Sequence, residues 1–133
     1  MSCSLCRLHE SCLTIKVQSR GSDTPTIMFV GEAPGSEEDS QGKCFVGPAG
    51  QLLEQAVNEY GLTPCYFTNV VRCRPPGNRI PKADEIKSCF PYLKEEIKLM
   101  KPKIIVALGN VALKAITGKS GVTSYSGSVV KDY

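Results

Sequence analysis

Apolar residues fall along the chain in short blocks, and their spacing changes from block to block. Thr26-Ile-Met-Phe-Val30 is a nearly continuous apolar run closed by Gly31, the pattern of a strand buried on both faces. Leu52, Leu53, Ala56, Val57 and Tyr60 recur at helical spacing, with Gly61 as a plausible stop. Tyr66 to Val71 is aromatic and β-branched and predicts a second strand. Residues 72–81 hold Pro75, Pro76, Gly77 and Pro81 and predict a loop. Ile86, Cys89, Leu93, Ile97 and Met100 return to helical spacing, with Pro91 a point of kinking or restart. Lys103 to Leu108 predicts a third strand, and Asn110 is placed to cap a helix over 111–116.

Apolar strands alternating with helices predict an α/β fold, a three-layer αβα sandwich around a small parallel sheet. Three strands are few for such a sheet. The tail 119–133 shows no clear element. The expectation is a single domain over 1–133 whose fold is truncated at the C-terminus, with the segment between the first strand and first helix, 31–50, as a long loop. Loops of that length inside a domain are usually functional or disordered.

Length and composition bound this picture. With 133 residues, 41% hydrophobic and 22% charged, the chain can bury an ordinary core. No apolar run approaches the 18 or so residues of a membrane span, and the N-terminus lacks a secretory h-region, so a cytoplasmic location is expected. Net charge is only +3. Its distribution is more telling: residues 1–71 carry 4 Lys/Arg against 8 Asp/Glu, while residues 72–103 carry 9 against 4. A basic middle suits a phosphate-backbone partner, and equally a solvated basic face.

Seven cysteines are many for a chain without a secretory leader, which favours metal or redox chemistry over disulfides. Cys12, Cys44 and Cys65 have no patterned partners and read as small buried residues. Cys3-x-x-Cys6 is a short thiolate pair, and Cys73 and Cys89 stand 16 residues apart. Four thiolates suit zinc or an iron–sulfur cluster, and spacing alone does not choose between them.

Gly31-Glu32-Ala33-Pro34-Gly35 sits where a parallel sheet presents its ligand site, after a strand's carboxyl end. Phe45, between glycines, is either a stacking platform for a flat ligand or a loop anchor. Asn69, in a predicted strand where Asn is depleted, suggests a polar role.

Together these segments resemble the family-4, iron–sulfur uracil-DNA glycosylases. The matching pieces are Cys3-x-x-Cys6, GEAPG at 31–35 with Glu38-Asp39, GKCFVGPAGQLL at 42–53, TNVVRCRPPGNR at 68–79, Glu85-Ile86 with Cys89, and KPKIIVALG at 101–109. Similar domains stand at the N-termini of some phage DNA polymerases. The resemblance implies a 4Fe-4S cluster on Cys3, Cys6, Cys73 and Cys89, with zinc the less favoured occupant, and uracil-containing DNA as partner. It implies that Asn69 reads the uracil edge, Phe45 stacks on the base, and backbone N–H groups of the loop at Ala33 meet O2. Glu32 would order the water or the pocket, and Glu38 would lie nearby. Arg72, Arg74, Arg79 and Lys82 would touch phosphates.

Two departures stand against full catalytic competence. Ala33 stands where the best-known uracil glycosylases have an Asp that positions water, as it commonly does in the resembling family too. The family's C-terminal His-Pro-Ser segment is absent, the sole histidine being His9, and Ser126-Gly127 stands where the family tends to have Arg-Gly. The alternative expectation is therefore a non-catalytic DNA-binding N-terminal module, fused to or associated with a larger phage-type DNA polymerase.

Overall fold

The structure, a computed structural model, describes residues 3–118 and the short strand at 129–130. Five strands form one sheet: β1 (Arg20–Gly21), β2 (Ile27–Gly31), β3 (Cys65–Asn69), β4 (Ile104–Ala107) and β5 (Val129–Val130), in the order β1-β3-β2-β4-β5. The centre is parallel, with Phe29 of β2 opposite Phe67 of β3 on one side and Val106 of β4 on the other. These are the three strands the apolar runs predict. β1 and β5 add antiparallel edges of two residues each, so the sheet is mixed at its margins. Two residues are too few to register as a hydrophobic period, which is why the sequence pattern passes over both.

Among the described residues there are four α-helices: α1 (Ser36–Gln41), α2 (Pro48–Tyr60), α3 (Ala83–Met100) and α4 (Asn110–Thr117). The stretch 31–50 is thus not one long loop, because α1 lies within it. With sequence SEEDSQ it has no apolar face to betray it. It is held instead by acidic residues in its first turn, where the helix dipole favours them, and by Glu38 reaching back to the Gly35 N–H at 3.1 Å. Helix α2 opens with Pro48 in its first turn and ends at Gly61 as its spacing predicts. Helix α3 runs through the exposed Pro91 as one element. Its start is fixed by the Glu85 carboxylate accepting the Lys82 N–H at 2.8 Å. Asn110 is not a cap: Gly109 occupies that position and Asn110 is the first helical residue.

The sheet divides the interior in two. On one face Met28, Val30, Tyr66 and Ile105 pack with Cys89 and Leu93 of α3, with Ala112, Leu113 and Ile116 of α4, and with Leu8. On the other, Phe29 and Phe67 stack at 5.5 Å and pack with Val17, Cys44 and Val57 of α2. Helices therefore cover both faces, as the uninterrupted apolar strands require. Leu93 is fully buried between α3 and the sheet. Leu93→Ala should cost about 2–5 kcal/mol, seen in urea unfolding as a lower midpoint with an unchanged slope.

Candidate functional site

The chain order reverses at β2, since β3 lies on one side of it and β4 on the other. In such sheets ligands bind outside the carboxyl ends of the strands. There β2 ends at Gly31, directly opposite Asn69 at the end of β3. The two exits are tied together beyond the sheet by Val70 N–H to Gly31 O (2.9 Å) and Val71 N–H to Glu32 O (3.0 Å).

Gly31, Phe45 and Asn69 meet at this point. A Cβ on Gly31 would come within 2.6 Å of Asn69 Oδ1 and 2.8 Å of Phe45 Cζ, so no larger residue fits between the amide and the ring. Asn69 is 3% exposed. Among the described residues its side chain makes one hydrogen bond, Nδ2 donating to Cys44 Sγ at 3.5 Å. Sulfur is a weak acceptor, so most of the amide's polar capacity is unspent. Phe45 takes a left-handed backbone conformation (φ 57°), unusual for a residue with a Cβ. Arg20 holds that turn from outside: its Nε donates to Cys44 O at 2.7 Å, its Nη2 to Phe45 O at 2.9 Å, and it pairs with Glu54 at 2.6 Å. From inside, Gly50 lies so close that a Cβ there would be 2.2 Å from the Phe45 carbonyl. The Phe45 ring tilts against Phe67 with centroids 5.6 Å apart.

The two loops that build the site are joined through Glu38. Its carboxylate accepts the N–H groups of Gly35 (3.1 Å), Val46 (3.0 Å) and Gly47 (2.6 Å). Its neighbour Asp39 is buried and points the other way, accepting the N–H groups of Leu13 and Thr14 at 2.9–3.0 Å. Glu32 is half-buried with no hydrogen bond to its carboxyl among the described residues, and burial raises its pKa above the ordinary carboxylate value. Ala33 is half-buried against the α3 side of the core. The roles of Arg20 and Asp39 carry no sequence signal, since each depends on partners at least 24 residues away.

The basic stretch is not a single surface. Arg72, expected to touch phosphates, is buried at 6% exposure. Its guanidinium pairs with Glu96 of α3 and donates to Ser19 Oγ at 2.9 Å. Glu96 also accepts from Thr68 Oγ1 (2.6 Å) and Tyr66 Oη (2.7 Å). Burial pushes the Glu96 carboxyl up, but hydrogen bonding and charge from Arg72 outweigh it and leave the pKa low. Arg72 therefore belongs to the interior. Arg74 is half-buried and donates to Asn78 Oδ1 at 2.7 Å, and Lys82 is exposed. Arg79 makes a two-pronged contact with Glu85, both distances 2.8 Å, which lowers the Glu85 pKa.

Cys3, Cys6, Cys73 and Cys89 line one cavity, together with His9, Lys16, Arg72 and Tyr92. His9 Nδ1 donates to the Cys6 carbonyl at 2.5 Å. Backbone N–H groups point at the sulfurs: Lys16 to Cys73 Sγ at 3.3 Å and Arg72 to Cys89 Sγ at 3.2 Å. Cys3 Sγ and Tyr92 Oη lie 3.1 Å apart. Burial pushes the Cys73 thiol up to about 12 and the Cys89 thiol to about 11. Among the described residues no three acidic, His or Cys side chains close on one point as a single ion would require. Cys44 and Cys65 are buried as expected, whereas Cys12 is only half-buried and contacts Cys73. Ser126-Gly127 lies outside the described residues.

A glycine, an aromatic ring and an amide are thus gathered at the ends of two parallel strands of a three-layer fold, where such folds bind their ligands. The sequence comparison gives that architecture its class: the chain belongs to the uracil DNA glycosylase superfamily, whose family profile matches residues 18–131. It is 48% identical over 124 residues to the type-4 uracil-DNA glycosylase of Sulfurisphaera tokodaii, covering 91% of this chain and 56% of that protein. It is 44% identical over 117 residues to the type-4 enzyme of Pyrobaculum aerophilum, covering 86% and 59%. A DNA polymerase of Bacillus phage SP01 is 34% identical over 116 residues, 85% of this chain and 13% of the polymerase. The chain thus spans a little over half the length of the two glycosylases. No described helix is long and apolar enough to cross a membrane.

If Glu38 is what joins the two loops, Glu38→Ala should free the N–H groups of Val46 and Gly47. Hydrogen exchange over residues 43–50 should speed at least tenfold while β2 and β3 keep their protection.

Proposed function

We propose that this chain is the uracil-recognising part of a family-4 uracil-DNA glycosylase, hydrolysing the N-glycosidic bond of deoxyuridine in DNA to leave an abasic site. The observation that carries the reading is the buried Asn69 amide, spent only on a sulfur and set beside Phe45 at the strand ends. A glycosylase takes its base out of the stack and reads it in a closed pocket. The Asn69 amide offers a donor for uracil O4 and an acceptor for N3–H. Phe45 supplies the stacking face, and N–H groups of the 31–35 loop at Ala33 face O2. Bond breaking leaves negative charge on uracil and positive charge on the sugar. Water then adds to the sugar carbon, and Glu32, half-buried and without a hydrogen-bonded partner among the described residues, orients that water.

The donor set around the cavity fits an iron–sulfur cluster on Cys3, Cys6, Cys73 and Cys89. Supporting this are the four thiols on one cavity, the N–H groups aimed at two of them, and the buried Arg72 Nε, which has no hydrogen-bond partner among the described residues. A zinc ion would need its sulfurs about 2.3 Å from one point, whereas a cluster spreads its ligands over a larger body. Thiols held at 11–12 stay protonated at neutral pH unless metal takes the proton's place. When bound, the cluster would supply four metal–thiolate bonds joining the N-terminal segment to the loop after β3 and to α3. Cys73→Ala should therefore lose iron and lower the unfolding midpoint, with iron per chain the measurement; Cys44→Ala should keep its iron. A colourless, zinc-loaded protein would reverse the choice of metal.

Arg74, Arg79 and Lys82 remain the phosphate-contacting set. Replacing Arg74 and Arg79 by Ala should weaken binding to any sequence and flatten the dependence of affinity on salt by about one unit of slope per contact. Identical salt curves for parent and double variant would make the stretch a solvated face.

Release of uracil from a single-stranded oligonucleotide tests the activity. Asn69→Asp and Phe45→Ala should each cut preference for uracil over thymine strands by the equivalent of roughly 1–3 kcal/mol, with general DNA affinity retained. The polymerase relative favours a second reading, a DNA-binding module of a polymerase that does not cleave. Equal affinity of the parent for uracil- and thymine-containing strands, with no uracil released, would select it.

A further inference from the structure

Arg72 is buried, yet its hydrogen bonds leave one of its three guanidinium nitrogens over. Nη1 donates to Ser19 Oγ and Nη2 pairs with Glu96, but among the described residues Nε finds no partner. Buried donors without acceptors are rare in native folds, and each calls for a reason. Arg72 also lines the four-cysteine cavity, and its own backbone N–H donates to Cys89 Sγ at 3.2 Å. Arg72 thus lines the cavity with a backbone amide donated to a sulfur, its charge is felt at the Cys89 thiol, and its guanidinium keeps one nitrogen without a partner among the described residues. A cluster bound by four thiolates is a net anion, and its potential responds to neighbouring hydrogen bonds and charge.

We infer that Arg72 is a cofactor-contacting residue: its Nε–H and its charge serve the group held by Cys3, Cys6, Cys73 and Cys89, while Glu96 fixes the guanidinium in place. This rests on the cluster reading above. It differs from the DNA contact the sequence suggests for Arg72, and from a purely structural ion pair. If the pair were only structural, a neutral, well-packed replacement would leave the cofactor indifferent.

The test uses the full chain purified without oxygen. Its readouts are iron per chain, the rate of iron loss to a chelator, the reduction midpoint in a mediated dithionite titration, and the urea midpoint. Arg72→Met combined with Glu96→Gln removes both charges and keeps an oxygen acceptor for Thr68 and Tyr66. Arg72→Lys keeps the charge and the Glu96 partner but removes Nε–H. Loss of outer contacts to a metal site costs about ten- to a hundredfold in metal affinity. Iron loss should accordingly quicken about tenfold or more in both variants. The midpoint should move negative in the double variant and stay near the parent's in Arg72→Lys. Parent-like iron loss and midpoint in a folded variant overturn the inference. Should the double variant not fold, Arg72→Lys decides: faster iron loss at an unchanged urea midpoint supports it, and parent-like loss rejects it. A parent without iron refutes the cluster reading and this inference together, whereas an iron-replete parent with indifferent variants refutes this inference alone.

Discussion

The buried pair between Arg72 and Glu96 is the constraint around which the α3 side of the molecule is arranged. Taking two charges out of water costs several kcal/mol each and is repaid only by close geometry and further hydrogen bonds. Here those bonds come from Ser19, Thr68 and Tyr66, so the N-terminal segment, β3 and α3 are all committed to one polar centre. That commitment fixes where β3 ends. Asn69 follows Thr68 directly, and Cys73 follows Arg72. The network therefore sets the buried Asn69 amide at one end of a five-residue stretch and a cavity cysteine at the other.

A second division of labour sits in α1. Successive carboxylates leave this six-residue helix in opposite directions: Glu38 joins the loops at 35 and 46–47, and Asp39 receives the segment at 13–14. One short helix thus connects the site at the strand ends with the chain that carries Cys3 and Cys6. Arg20 finishes the arrangement by clamping the strained Phe45 turn between its carbonyl contacts and Glu54. Phe45 is consequently a preorganised ring, held from both sides.

The chain belongs to the uracil DNA glycosylase superfamily, and under the proposed function the ring and the amide are the stacking face and the edge reader that a flat base needs. The cysteine cavity lies on the α3 side, away from the Phe45 turn on the α2 side, so the two candidate sites occupy different faces of the sheet. The two regions are joined through β3 with the residues that follow it, and through α1.

The sequence by itself determined the elements that bury apolar surface. β2, β3, β4, α2, α3 and α4 were legible because an apolar period survives in a one-dimensional string, and Gly61 because a helix end needs a residue that turns freely. The motifs that carry the family resemblance were legible too, as short contiguous patterns. Tertiary structure alone decided the rest. β1 and β5 exist by pairing with strands distant in sequence, and α1 by local charge and capping without an apolar face. Arg72 reads as a surface cation in a basic loop, and only its meeting with Glu96, 24 positions away, turns it inward. The same holds for Glu38 and Arg20, whose partners are backbone groups of other loops. Backbone acceptors and donors look alike at every position of a sequence, so which of them a side chain finds is settled only when the chain has folded.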